Sequence, residues 1–150
     1  FKRPTLVRLM KRCKFVVLII FLVGLNACSS ISQQSVYAQM GGQQKIEQVV
    51  DNFINEIEFD PVIFEYFKDS DVDRFKEKFI EHLCNLTGGP CEYSGDTMVQ
   101  VHTGMNMSEA DFNRGVDLLI NAMTKAQIPH TVQNKVLAIL ATKRNEMLYI

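Results

Sequence analysis

From residue 41 onward the chain has no stretch that alternates apolar and polar residues with period two, which excludes a sheet as the framework of its main domain. It also lacks internal repeats, and its only low-complexity segment is a short polar run after residue 28. Cysteine is sparse, and beyond residue 28 only Cys84 and Cys91 occur. Their spacing matches no zinc motif; in an oxidising compartment they could pair, but two unpaired thiols are the favoured reading. Acidic residues are absent from residues 1–27, which carry six basic side chains: Lys2, Arg3, Arg8, Lys11, Arg12 and Lys14.

Those basic residues precede the apolar run Phe15 to Leu25, which is too short and wrongly flanked for a spanning helix and reads as a secretory signal. The run ends in Leu25-Asn26-Ala27-Cys28, which resembles a bacterial lipobox, although Asn26 is uncommon there. On that resemblance Cys28 becomes the lipid-modified first residue of the mature protein, with a polar tether after it. The organisation expected is a signal over 1–27, a tether over 28–36 and one domain over 37–150. An uncleaved N-terminal anchor, with Cys28 a bystander, is the alternative. Either way the domain is exported, and the lipobox places it on the periplasmic side, anchored to a bacterial membrane. Without the first 27 residues, ten of the 16 basic side chains face all 17 acidic ones, a charge near −7. That balance argues against nucleic-acid binding and against docking on anionic lipid heads.

The domain reads as all-α. Ile46, Val49, Val50, Phe53, Ile54 and Ile57 make one wide apolar stripe at helical spacing, ended by Asp60-Pro61. An aromatic-rich piece, 62–67, comes next, and Ser70 with Asp73 predicts the cap of another helix. That helix carries Val72, Phe75, Phe79, Leu83 and Leu86 on one face and stops at Thr87-Gly88-Gly89-Pro90. After a loop over 87–95, a short helix over 98–103 puts Met98, Val101, His102 and Met105 on one side. Ser108 and Asp111 cap a further helix bearing Phe112, Val116, Leu119, Ile120 and Met123. Pro129 and Thr131 open the last, with Val132, Val136, Leu137, Ile139, Leu140 and Leu148 inward.

An ordered set of motifs runs through these helices: Tyr37-Ala38-Gln39-Met40-Gly41-Gly42, Asp51-Asn52-Phe53, Phe64-Glu65-Tyr66-Phe67, Thr87-Gly88-Gly89-Pro90, Tyr93-Ser94-Gly95, Met98-Val99-Gln100-Val101-His102 and Gln127-Ile128-Pro129. Together they resemble the bacterial truncated haemoglobins of group I, over residues 37 to about 148. The resemblance implies a truncated globin fold, a two-over-two helical sandwich around one haem b, in a monomer. It makes His102 the proximal iron ligand through Nε2, with the other ring nitrogen bonded to a backbone carbonyl. Read without that context, a helical histidine among apolar residues is a core residue. His82 and His130 are expected at the surface. The resemblance also places Phe53, Phe67, Phe75, Phe79, Met98, Val101 and Phe112 against the haem, and Lys78, with Arg74 one turn before it, beside a haem propionate.

The distal side departs from the family. Where group I members carry a Tyr and a Gln that hold the bound ligand, this chain has Ile54 and Phe79, and Phe75 over the iron is apolar as well. Leu83 replaces an aromatic that gates an apolar tunnel, which suggests a more open path. Bound O₂ carries negative charge on its outer atom, and a hydrogen bond to such an acceptor contributes ~1.5–3 kcal/mol. Its loss implies roughly 10- to 100-fold weaker O₂ retention, with CO little changed. The expected function is reversible binding of O₂, NO and CO, as in oxygen transport, with a separate reductase keeping the iron ferrous. A haem enzyme, either an NO dioxygenase or a peroxidase-like catalyst, is the alternative, against which stands the absence of a distal donor. A haem carrier or sensor partner is a third reading, supported only by the tether.

Overall fold

A computed structural model describes residues 34–150 of the protein. The expected signal over 1–27, the lipidated Cys28 and most of the tether lie outside the described residues. Within them the chain forms six α-helices: α1 Val36–Met40, α2 Gln43–Phe59, α3 Val72–Leu86, α4 Met98–His102, α5 Glu109–Lys125 and α6 His130–Ala141. Single 3-10 turns occur at Phe64–Tyr66 and Arg144–Glu146. The described residues contain no strand, as the absence of period-two segments implies.

Local chemistry sets the helix ends. The Ser35 hydroxyl accepts from the Ala38 N–H at the head of α1. At its foot Gly41 (φ 104°) and Gly42 (φ 76°) turn the chain directly into α2, at angles where a Cβ would be strained. Ser108 and Asp111 form the expected capping box of α5. The cap of α3 is Asp71 rather than Ser70, its carboxylate accepting from the Arg74 N–H. Ser70 is drawn into the preceding turn, where its own N–H donates to Phe67 O.

Helix α2 packs against both α3 and α5, and α5 also against α6. Between them lies a core built from Ile46, Val49 and Val50 of α2, Leu83 and Cys84 of α3, Leu119 and Met123 of α5, and Val132 and Val136 of α6. Each fully buried aliphatic side chain contributes about 1.5–3 kcal/mol, so this cluster, more than helix propensity, holds the elements in place. A smaller cluster, Ile57, Ile63 and Leu118, carries Phe53, Tyr66, Phe67 and Phe75 on its surface. Val72, expected inward, is exposed at the first turn of α3.

Three ties were not expected from the sequence. Cys84 and Cys91 form a disulfide, which corrects the reading of two free thiols. The Thr87–Pro90 turn brings them together by folding the loop back along α3, with Gly89 N–H donating to Cys84 O at 2.8 Å. A Cβ on Gly89 would lie 2.6 Å from both Cys84 Sγ and the Tyr37 ring, so that approach requires glycine. Residues 149 and 150 strap the turn after α4: Gly104 and Asn106 donate N–H bonds to Ile150 O, and Tyr149 N–H donates to Met107 O. Finally, the buried Asp60 accepts from the N–H groups of Val62 and Ile63 and from Arg114 Nε, tying the end of α2 to α5.

Candidate functional site

A cavity of about 460 Å³ opens between α3, α4 and α5. Its most distinctive feature is an aromatic wall. Phe75 and Phe79 stand one turn apart on α3 with stacked rings 5.4 Å between centroids, Phe53 of α2 meets Phe79 at 5.4 Å, and Phe67 meets Phe75 edge-on at 4.8 Å. None of these side chains can donate a hydrogen bond. Elsewhere the cavity is bounded by Met98, Val101 and His102 of α4 and by Phe112 of α5.

His102 sits at the last position of α4, a helix of one turn that could not stand alone. A capping box fixes its start: the Thr97 hydroxyl accepts from Gln100 N–H, and the Gln100 side chain accepts from Thr97 N–H. His102 Nδ1 lies 2.8 Å from Met98 O. A carbonyl oxygen can only accept, so Nδ1 carries the proton and Nε2 keeps its lone pair. An imidazole in that tautomer is ready to ligate a metal.

Cations gather along one edge of the cavity. Arg74 pairs with Asp96 at 3.0 Å, and Lys78 with Glu77 at 2.6 Å and Glu81 at 3.1 Å. Lys78 Nζ also donates to Ser94 Oγ, whose N–H and O–H both donate to Glu81. The Ser94 N–H, then Lys78 and the Ser94 hydroxyl, hold the Glu81 carboxyl below its ordinary range, while the bonds to Glu77 and Glu81 raise Lys78. Lys143, paired with Glu146, reaches the same cavity from beyond α6. Tyr66 Oη donates to Asp111, and burial with that carboxylate pushes the phenol up.

A family profile described as "Bacterial-like globin" matches residues 35–149. The chain belongs to that family. Among its relatives, the group 1 truncated hemoglobin GlbN of Mycolicibacterium paratuberculosis is 31% identical over 107 residues, covering 71% of this chain and 79% of that protein. The group 1 truncated hemoglobin of Tetrahymena pyriformis is 26% identical over 115 residues, covering 77% and 95%. The crystal structure of that truncated hemoglobin in its Fe(III) form superimposes with a TM-score of 0.75, over 78% of this chain and all of the other. The all-helical fold is that of the truncated globins, a family that binds haem and diatomic gases.

The residues of this bacterial-like globin suit a haem. A large apolar cavity, a histidine whose Nε2 lone pair is free and a cationic edge are what a flat, iron-bearing, dicarboxylate macrocycle requires. Of the residues assigned to the site from the sequence, Phe53, Phe67, Arg74, Phe75, Lys78 and Phe79 line the cavity, as do Met98, Val101, His102 and Phe112. Ile54 and Leu83 do not. Ile54 packs against the main core and Leu83 is fully buried within it, so a tunnel opened by Leu83 has no counterpart in the cavity.

His82 corrects the expectation of a surface residue: it is 8% exposed and lines the cavity. Its ring lies 4.6 Å from that of Tyr93, and both ring nitrogens are buried without a hydrogen-bond partner. Burial, then the Lys143 ammonium, lower its pKa against a smaller opposing effect of Glu146, so the ring is neutral. Leaving such a group unsatisfied costs about 1–3 kcal/mol. The sequence carried one signal for it, the i, i+4 spacing from Lys78 and from there to Arg74. Met105 lines the cavity on the same side as His102, as its spacing predicted, whereas Tyr93, Met107 and Lys143 line it unforeseen, because the loop and the chain end that deliver them have no periodic pattern.

Proposed function

We propose that this globin holds one haem b through His102 and binds O₂, NO and CO reversibly in a distal pocket without a polar side chain. The observation that carries the reading is the pairing of His102, its Nδ1 proton committed to Met98 O, with the contiguous rings of Phe53, Phe67, Phe75 and Phe79, none of which can donate a hydrogen bond. When bound, haem supplies an iron with one open coordination position for the gas. The protein's part is then division of labour. His102 Nε2 would hold the iron, the Met98 carbonyl fixes the tautomer and makes the imidazole more basic, and the phenylalanines would exclude water without stabilising negative charge on a ligand. Weak O₂ retention with ordinary CO affinity follows.

The disulfide supports the expectation that the domain works in an oxidising compartment, where such bonds persist. With it goes the rest of the reading: export, lipid attachment through Cys28 on the periplasmic side, a monomer, and reduction by a separate protein. Palmitate labelling that is lost in a Cys28→Ser variant tests the anchor.

Visible spectra of the ferric, ferrous and CO-bound protein test the function. A haem spectrum of unchanged coordination and stoichiometry in His102→Ala would sink the assignment of the ligand. Mixing the oxygenated protein with NO decides between gas binding and dioxygenation: stoichiometric nitrate formed faster than O₂ leaves would make the protein an enzyme.

A further inference from the structure

Helix α3 presents two parallel stripes to the cavity. Phe75 and Phe79 make one; Arg74, Lys78 and His82, each four residues apart and therefore on one face, make the other. The cations of the second stripe have partners in the protein, Arg74 in Asp96 and Lys78 in Glu81 and Ser94. His82 has none. Its ring lies against that of Tyr93, and Lys143 lines the same cavity. From Phe75 to His82 is about 10 Å along the helix, too far for both to stand over one iron atom.

A neutral imidazole enclosed in this way needs an acceptor for its N–H, and an ammonium beside it makes an anionic acceptor the better one. Haem offers few choices, since its polar substituents are its two carboxylates. Resting on the haem-binding reading above, we propose that His82 donates a hydrogen bond to a haem carboxylate with Lys143 as the neighbouring countercharge. The two residues form a carboxylate subsite additional to Arg74 and Lys78. Glu146 now occupies Lys143, through an ion pair at the surface that an incoming carboxylate replaces at little cost. His82 is thus a positioning residue: it sets the depth and rotation of the macrocycle, not the reactivity of the iron.

The test compares the wild type, His82→Phe, His82→Gln and Lys143→Met, each loaded with haem and separately with haem dimethyl ester, which has no carboxylate. Transfer to excess apomyoglobin gives the release rate, and resonance Raman gives the propionate bending band. The subsite predicts that His82→Phe releases haem about tenfold faster and shifts the band, that His82→Gln restores most of the retention, and that Lys143→Met lies between. It also predicts that wild type and His82→Phe release the ester at the same rate. Equal acceleration with the ester would reduce His82 to packing and overturn the proposal. So would a change of iron coordination in His82→Phe, which would make His82 an iron ligand. A wild type that takes up neither macrocycle removes the haem reading itself, and the inference falls with it.

Discussion

At the scale of single residues, the proposed reading makes the phenylalanines of the aromatic wall the side chains that would set gas affinity. Phe75→Gln gives the pocket a donor, and the expected outcome is O₂ dissociation slowed roughly 10- to 100-fold with the CO rate little changed. Stopped-flow displacement of each gas measures both; equal slowing of O₂ and CO would indicate a steric effect and not a hydrogen bond. The aromatic lining was legible in the chain because Phe75 and Phe79 fall one turn apart on an amphipathic stripe. His82 lies on that same helix, yet its burial was not legible. It depends on Tyr93 folding back from a loop, and a helical pattern says nothing about what a loop will cover.

Among the elements, the link between α2 and α5 carries a pH dependence. Burial raises the pKa of Asp60, but the Ile63 N–H, Arg114 and the Val62 N–H together outweigh it and the net shift is downward. A carboxylate whose folded pKa is depressed contributes stability above its unfolded value, near pH 4, and loses it as the pH falls through the folded one. Asp60→Asn is therefore expected to lower stability by about 2 kcal/mol at pH 7, with the gap to wild type narrowing below pH 4. Urea titrations at pH 7 and pH 3.5 measure it; an equal gap at both would refute the assignment. The helices themselves were readable from spacing, and the Ser108–Asp111 box from its residue types. The Asp71 cap was not, because the turn that takes up Ser70 is set by Phe67.

For the whole molecule, two cross-connections decide how the cavity walls stay together: the 149–150 strap under α4 and the disulfide between α3 and the loop leading to α4. Cys91→Ser is expected to lower stability by roughly 2 kcal/mol and the melting temperature by roughly 8 °C. Adding a reductant should bring the wild type to the same value and leave the variant unmoved, as a thermal melt would show. A wild type indifferent to reductant would mean the bond contributes nothing. Neither connection could be read from the chain, since each depends on segments far from helical order. The bond between Cys84 and Cys91 has a further, purely topological result. Residues 84–91 form a covalent ring, so a protease that cuts once within 85–90 yields two chains still joined. Such a nicked protein migrates as one species until it is reduced, with its aromatic helix and His102 on separate polypeptides.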